Sequence, residues 1–124
     1  MEFDHERLDV YRLSLDFLVF AERLLGGFPR GRAHFSDQLG RAALSIVLNV
    51  AEGAGKVSPA DKRRFYQTAR GSATESAALL DACQRVKLVT DADHRLGKDI
   101  LLRLVSMLVK LTRTFEPPLL PEKP

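Results

Sequence analysis

A chain of 124 residues that is 45% hydrophobic and 28% charged holds one domain with one core, and its composition is that of a globular protein rather than a disordered one. Nineteen Lys and Arg against sixteen Asp and Glu leave a net charge of +3 and a pI near 9.3, which permits a polyanionic partner without demanding one. The single cysteine, Cys83, excludes an internal disulfide framework, and no stretch has the length and apolarity of a signal-peptide core or a membrane span, so a cytoplasmic protein is expected.

The first helix is predicted from His5 to Gly26, with Asp4 as N-cap. Leu8, Tyr11, Leu15 and Leu18 fall on one face and Val10, Leu13, Phe17, Ala21 and Leu24 on an adjacent one, so it has a broad apolar surface for two neighbours. Gly26-Gly27 and then Pro29 end it.

The second helix opens at Ser36, which is expected to cap it, and runs to Gly53 and Gly55, which are expected to supply a left-handed exit. Gln38, Arg41, Ser45, Asn49 and Glu52 share an arc of roughly 80° at 100° per residue. From Leu39 to Ala51 every other position is apolar or Gly, so the helix is amphipathic in the inverted sense, with a narrow polar seam. A chain this short can hardly surround such a helix, and self-association is expected.

The third helix starts with Ser58 as N-cap, Pro59 at N1 and Asp61 at N3, and is predicted to reach about Leu88. Its apolar line is Phe65, Ala69, Ala73, Ala77 and Leu80, with Cys83 buried beside it. The fourth helix begins after Thr90, with Asp93 at N3, and carries Leu101, Leu104, Leu108, Leu111 and Phe115 as a heptad-like seam. Pro117-Pro118 ends it, giving a bundle domain over residues 1–116 and a flexible tail over 117–124. Four helices with short connections and no strand pattern predict an all-α fold, an antiparallel up-down-up-down four-helix bundle.

With the second and third helices folded back on each other around residue 58, Arg41 is expected opposite Glu75 and Glu52 opposite Arg64, two ion pairs fixing the hairpin register. Ser45 is then expected opposite Gly71 and Asn49 opposite Gln67. The seam offers no nucleophile with a base and an orienting group, so no catalytic residue is assigned. Gly53-Ala54-Gly55-Lys56 is not a phosphate-binding loop, since position 50 is Val and position 57 is Val, with no preceding strand. His5, His34 and His94 lack metal-ligand spacing, so neither a metal nor any other cofactor is expected. Lys56, Lys62, Arg63 and Arg64 gather positive charge around one bundle end with Phe65 and Tyr66 among them, and are the candidate nucleic-acid contacts. Arg30 and Arg32 are weaker candidates at the opposite end.

The run Gln38-Leu39-Gly40-Arg41-Ala42-Ala43-Leu44-Ser45-Ile46, then Asn49-Val50-Ala51-Glu52-Gly53-Ala54-Gly55-Lys56, resembles the signature of the four-helix-bundle, 23S rRNA-intervening-sequence proteins. Ser58, Asp61, Arg64-Phe65-Tyr66, Ala69, Gly71-Ser72 and Glu75 continue the likeness, and Leu8-Asp9-Val10-Tyr11 with Phe28-Pro29 matches the opening, so it covers most of residues 8–85. Gly40 departs from it where a basic residue is common, and Val86-Lys87-Leu88-Val89 replaces a Leu-Gly-containing end of the third helix. The resemblance implies a bundle that assembles as a homopentamer, is not an enzyme, and has related accessory proteins in diversity-generating retroelements that serve a reverse transcriptase and bind nucleic acid. It maps the family's polar residues onto Gln38, Arg41, Ser45, Asn49, Glu52, Ser72 and Glu75, largely the seam already described. The expected partners are further copies of the chain and RNA or a ribonucleoprotein, with no membrane; the alternative is an oligomeric scaffold for another protein, such as a reverse transcriptase, without nucleic-acid contact.

Overall fold

The computed structural model describes residues 1–118, so residues 119–124 of the expected tail lie outside the described residues. It is an all-α four-helix bundle: α1 (Asp9–Leu25), α2 (Ala33–Gly55), α3 (Pro59–Arg85) and α4 (Asp91–Thr114), preceded by one 3-10 turn at Asp4–Arg7. Among the described residues there is no strand. Each helix packs against its sequence neighbours and α1 closes the ring on α4, as short connections between antiparallel helices require. The seam side chains Leu101, Leu104 and Leu108 of α4 are fully buried with Phe17, Leu39, Ile46 and Leu80. Each side chain of this size contributes about 1.5–3 kcal/mol by leaving water. Cys83 is fully buried, as its apolar position predicts.

The two clearest cap signals hold. The Asp61 N–H donates to Ser58 Oγ at 3.0 Å, and the Asp93 N–H donates to Thr90 Oγ1 at 3.1 Å. The other two expected caps do not form. Leu8 is extended (φ −89°, ψ 130°), so α1 starts at Asp9 and Asp4 belongs to the separate turn, which lies against α2. Gly31 (φ +89°) turns the chain early enough for α2 to begin at Ala33. Ser36 therefore sits inside the helix and its hydroxyl donates back to the Ala33 carbonyl at 3.1 Å.

Helix exits also differ from expectation. Gly53 makes no left-handed turn: it is buried within α2, and a Cβ there would lie 2.8 Å from Tyr66 Cε1 and 3.2 Å from Phe65 Cβ. Its glycine is required by close approach of α3, not by backbone conformation. The left-handed exit occurs at the end of α3 instead, where Lys87 has φ +64°. Leu88 N–H donates to Cys83 O at 2.8 Å and Lys87 N–H to Gln84 O at 2.9 Å, a Schellman ending in which lysine holds the place usually given to glycine. This stops α3 at Arg85, three residues before the expected Leu88.

Candidate nucleic-acid interface

The basic end is built where the C-termini of α2 and α4 meet the N-terminus of α3. A helix C-terminus leaves carbonyls without intrahelical partners and carries partial negative charge. Lys62 Nζ donates to the Gly53 and Ala54 carbonyls at 3.2 and 2.9 Å, closing α2, and lies 5.5 Å from the Phe115 ring centroid. Arg63 Nη1 donates to the Phe115 carbonyl, closing α4. The other two candidates reach outward. Lys56 Nζ lies 3.7 Å from Glu52 Oε2 and 5.1 Å from the Phe65 centroid, while Arg64 Nη2 lies 3.2 Å from Asp61 Oδ1 with its Cζ 4.7 Å from that same ring. Their side chains remain 38% and 65% exposed, so these ion pairs are weak and open to exchange for another anion.

These four cations stand together at one end, as their spacing predicts, but Lys62 and Arg63 hold helix ends, which periodicity does not indicate. The available signal was position: both follow the tight 56–58 turn, within reach of the carbonyls that α2 leaves behind. Phe115, besides its place on the apolar side of α4, accepts from Arg63 through its carbonyl and faces Lys62 with its ring. Arg30 and Arg32 stand at the other end, where Arg32 Cζ lies 5.7 Å from the Phe35 centroid.

The polar seam forms, but not as two ion pairs. Ser45 Oγ and Ser72 Oγ share a hydrogen bond at 2.7 Å, one residue further along α3 than the expected Gly71. Asn49 Nδ2 donates to Ser45 O at 2.9 Å and to Ser45 Oγ at 3.1 Å. Glu52 turns to Lys56 four residues on and Arg64 to Asp61 three residues back, near partners that need no reach across the groove, while Arg41 and Glu75 are both exposed and make no ion pair with each other. Gln38 is exposed at the start of the same line. The register is set by the small hydroxyls at the centre, where two backbones come close. These hydroxyls meet an amide and each other, groups that do not take up a proton near neutral pH.

At the far end Asp81 Oδ1 takes Lys98 Nζ at 2.6 Å and His94 Nε2 at 2.7 Å, and Arg23 Nη2 meets Asp93 Oδ1 at 3.2 Å. The Lys98 hydrogen bond first, and then that of His94, hold the Asp81 carboxyl below its ordinary range. These contacts tie α3 and α1 to α4. Among the described residues no three His, Cys, Asp or Glu side chains group as metal ligands, and no helix is long and apolar enough to cross a membrane.

The fold recurs in a crystal structure of a protein of unknown function from the S23 ribosomal protein family of Bacteroides thetaiotaomicron. The two are 22% identical, with a TM-score of 0.79 over 84% of this chain and 95% of that one. No curated protein matches the chain in sequence. The model of the 23S rRNA-intervening sequence proteins matches residues 6–110, nearly the whole bundle, and the chain belongs to that family.

Proposed function

We propose that this protein is a non-enzymatic homo-oligomer, a pentamer by the resemblance, that binds RNA or a ribonucleoprotein through the basic end formed by Lys56, Lys62, Arg63 and Arg64. The observation that carries this reading is the pair of outward cations on one aromatic: Lys56 and Arg64 flank Phe65 at 5.1 and 4.7 Å while remaining open to solvent. Lys62 and Arg63 stand behind them and offset the negative ends of α2 and α4. A phosphate arriving here exchanges with the carboxylates of Glu52 and Asp61. The family's description as 23S rRNA-intervening sequence proteins supports RNA as the polyanion.

Self-association is supported by Leu44 and Leu48, 44% and 53% exposed and one turn apart on α2. The same pair favours the second reading, an oligomeric scaffold whose partner is a protein. Light scattering with and without a short structured RNA, at low and moderate salt, separates the two. Oligomers that take up RNA only at low salt, and lose it in Lys56→Gln/Arg64→Gln, support the RNA reading. Oligomers indifferent to RNA leave the scaffold, and a monomer overturns the assembly.

A further inference from the structure

The outward side of α4 carries cations that the fold leaves unused. At 100° per residue, Arg95, Arg103, Lys110 and Arg113 lie within an arc of about 80°, away from the buried line of Leu101, Leu104 and Leu108. All four are exposed, and among the described residues none takes part in an ion pair or a cation–π contact. Asp99 is the one carboxylate in the arc. The cations of the basic end are each engaged with a carbonyl, a carboxylate or an aromatic ring. Among the described residues the four cations of this row have no ion-pair or cation–π partner to give up, so an anion from outside meets them unengaged.

The spacing selects the kind of anion. From Arg95 to Arg113 the helix rises about 27 Å, so a single small anion meets at most Lys110 and Arg113, one turn apart. An extended chain of phosphates meets all four, and three of the four are Arg, whose planar fork suits phosphate oxygens. The face has no aromatic side chain to stack a base, and Leu96 and Leu102, 49% and 64% exposed, are the large apolar residues beside these cations, too little to enter a membrane. The row also leads into the basic end: Arg113 lies two residues before Phe115, whose carbonyl Arg63 holds.

We propose that the outward face of α4 is a track for the sugar–phosphate backbone of RNA, with Arg95, Arg103, Lys110 and Arg113 as its contacts and the basic end as its terminus. The inference rests on the RNA reading above for the class of partner and adds the surface that supplies most of the salt-sensitive affinity. Contacts of this kind position a duplex without reading its sequence.

The test is fluorescence anisotropy of the full chain with a labelled 20-base-pair RNA duplex at 50 to 200 mM salt, with light scattering and melting to verify assembly and fold. Each phosphate contact adds about 0.7–0.9 to the logarithmic salt slope, so wild-type affinity should fall roughly 20- to 40-fold further over this range than that of Arg95→Gln/Arg103→Gln/Lys110→Gln. Asp99→Asn should tighten binding, a gain that loss of fold cannot mimic. If the triple variant keeps the wild-type affinity and slope, the track is overturned, while loss in Lys56→Gln/Arg64→Gln would leave the basic-end reading standing. Loss in the triple variant alone supports the track and removes the basic end. No binding by the wild type at 50 mM overturns both, and equal binding of polyglutamate overturns RNA in favour of an acidic polypeptide.

Discussion

Gly53→Ala is the sharpest probe of how α2 and α3 meet. The added Cβ would lie 2.8 and 3.0 Å from the Tyr66 ring and 3.2 Å from Phe65 Cβ. The ring is 2% exposed and Phe65 Cβ moves only with the α3 backbone, so neither yields freely. Overpacking of this kind costs about 1–3 kcal/mol, and the tight backbone-linked contact places it in the upper half of that range. Alanine regains about 0.8–1 kcal/mol of helix propensity, leaving a net loss of about 1–2 kcal/mol. For a domain of this size that is a fall in Tm of roughly 4–10 °C. Gly71→Ala supplies the control: it lies within α3 with nothing within 4 Å of an added Cβ, and should gain close to the full propensity term. Both are read by circular dichroism melts and urea titration at one fixed protein concentration, because assembly shifts apparent stability. If Gly53→Ala melts as high as Gly71→Ala, the helices are not held at the distance described.

Lys87→Gly should raise stability by about 0.5–1 kcal/mol, since glycine enters the left-handed region without the Cβ clash that lysine bears at φ +64°; an unchanged urea midpoint would show that the Schellman ending carries no strain. Lys62→Met keeps the aliphatic stem but removes the charge-assisted bonds to Gly53 and Ala54, and should cost about 1–2 kcal/mol in melting even without RNA. Lys56→Gln, whose partner is an exposed carboxylate 3.7 Å away, should cost under about 0.5 kcal/mol in the same assay. Asp81→Asn tests the far-end cluster. Because the fold lowers the Asp81 pKa from 3.8, its contribution is fully present above that value and is lost as pH falls through the lower folded value. With the carboxylate 55% exposed the effect is about 0.5–1 kcal/mol, so wild type should exceed the variant near pH 6 and converge with it as the pH drops below the ordinary carboxylate range. A gap that persists to pH 2.5 would assign the effect to lost shape rather than lost charge.

The sequence by itself determined the four helices, because the apolar spacing of each and the cap signals at Ser58 and Thr90 act within one turn of chain. It also placed Ser45 and Asn49 on one face of α2 and gathered Lys56, Lys62, Arg63 and Arg64 beside one turn, since helical periodicity and short loops act locally. What it did not determine are the side-chain destinations. Arg64 has Asp61 three residues away and Glu52 across a groove, and periodicity allows both, but only the tertiary distances choose Asp61. Gly53 reads as a helix exit in sequence because its second reason for being glycine, the Tyr66 ring against its α-carbon, belongs to another helix. Lys62 and Arg63 look like free charge until the C-termini of α2 and α4 are brought beside them. Local rules fix that a helix forms and which face it buries. Which groups a long flexible side chain satisfies depends on what other elements leave unsatisfied nearby, and that is decided only when the bundle closes.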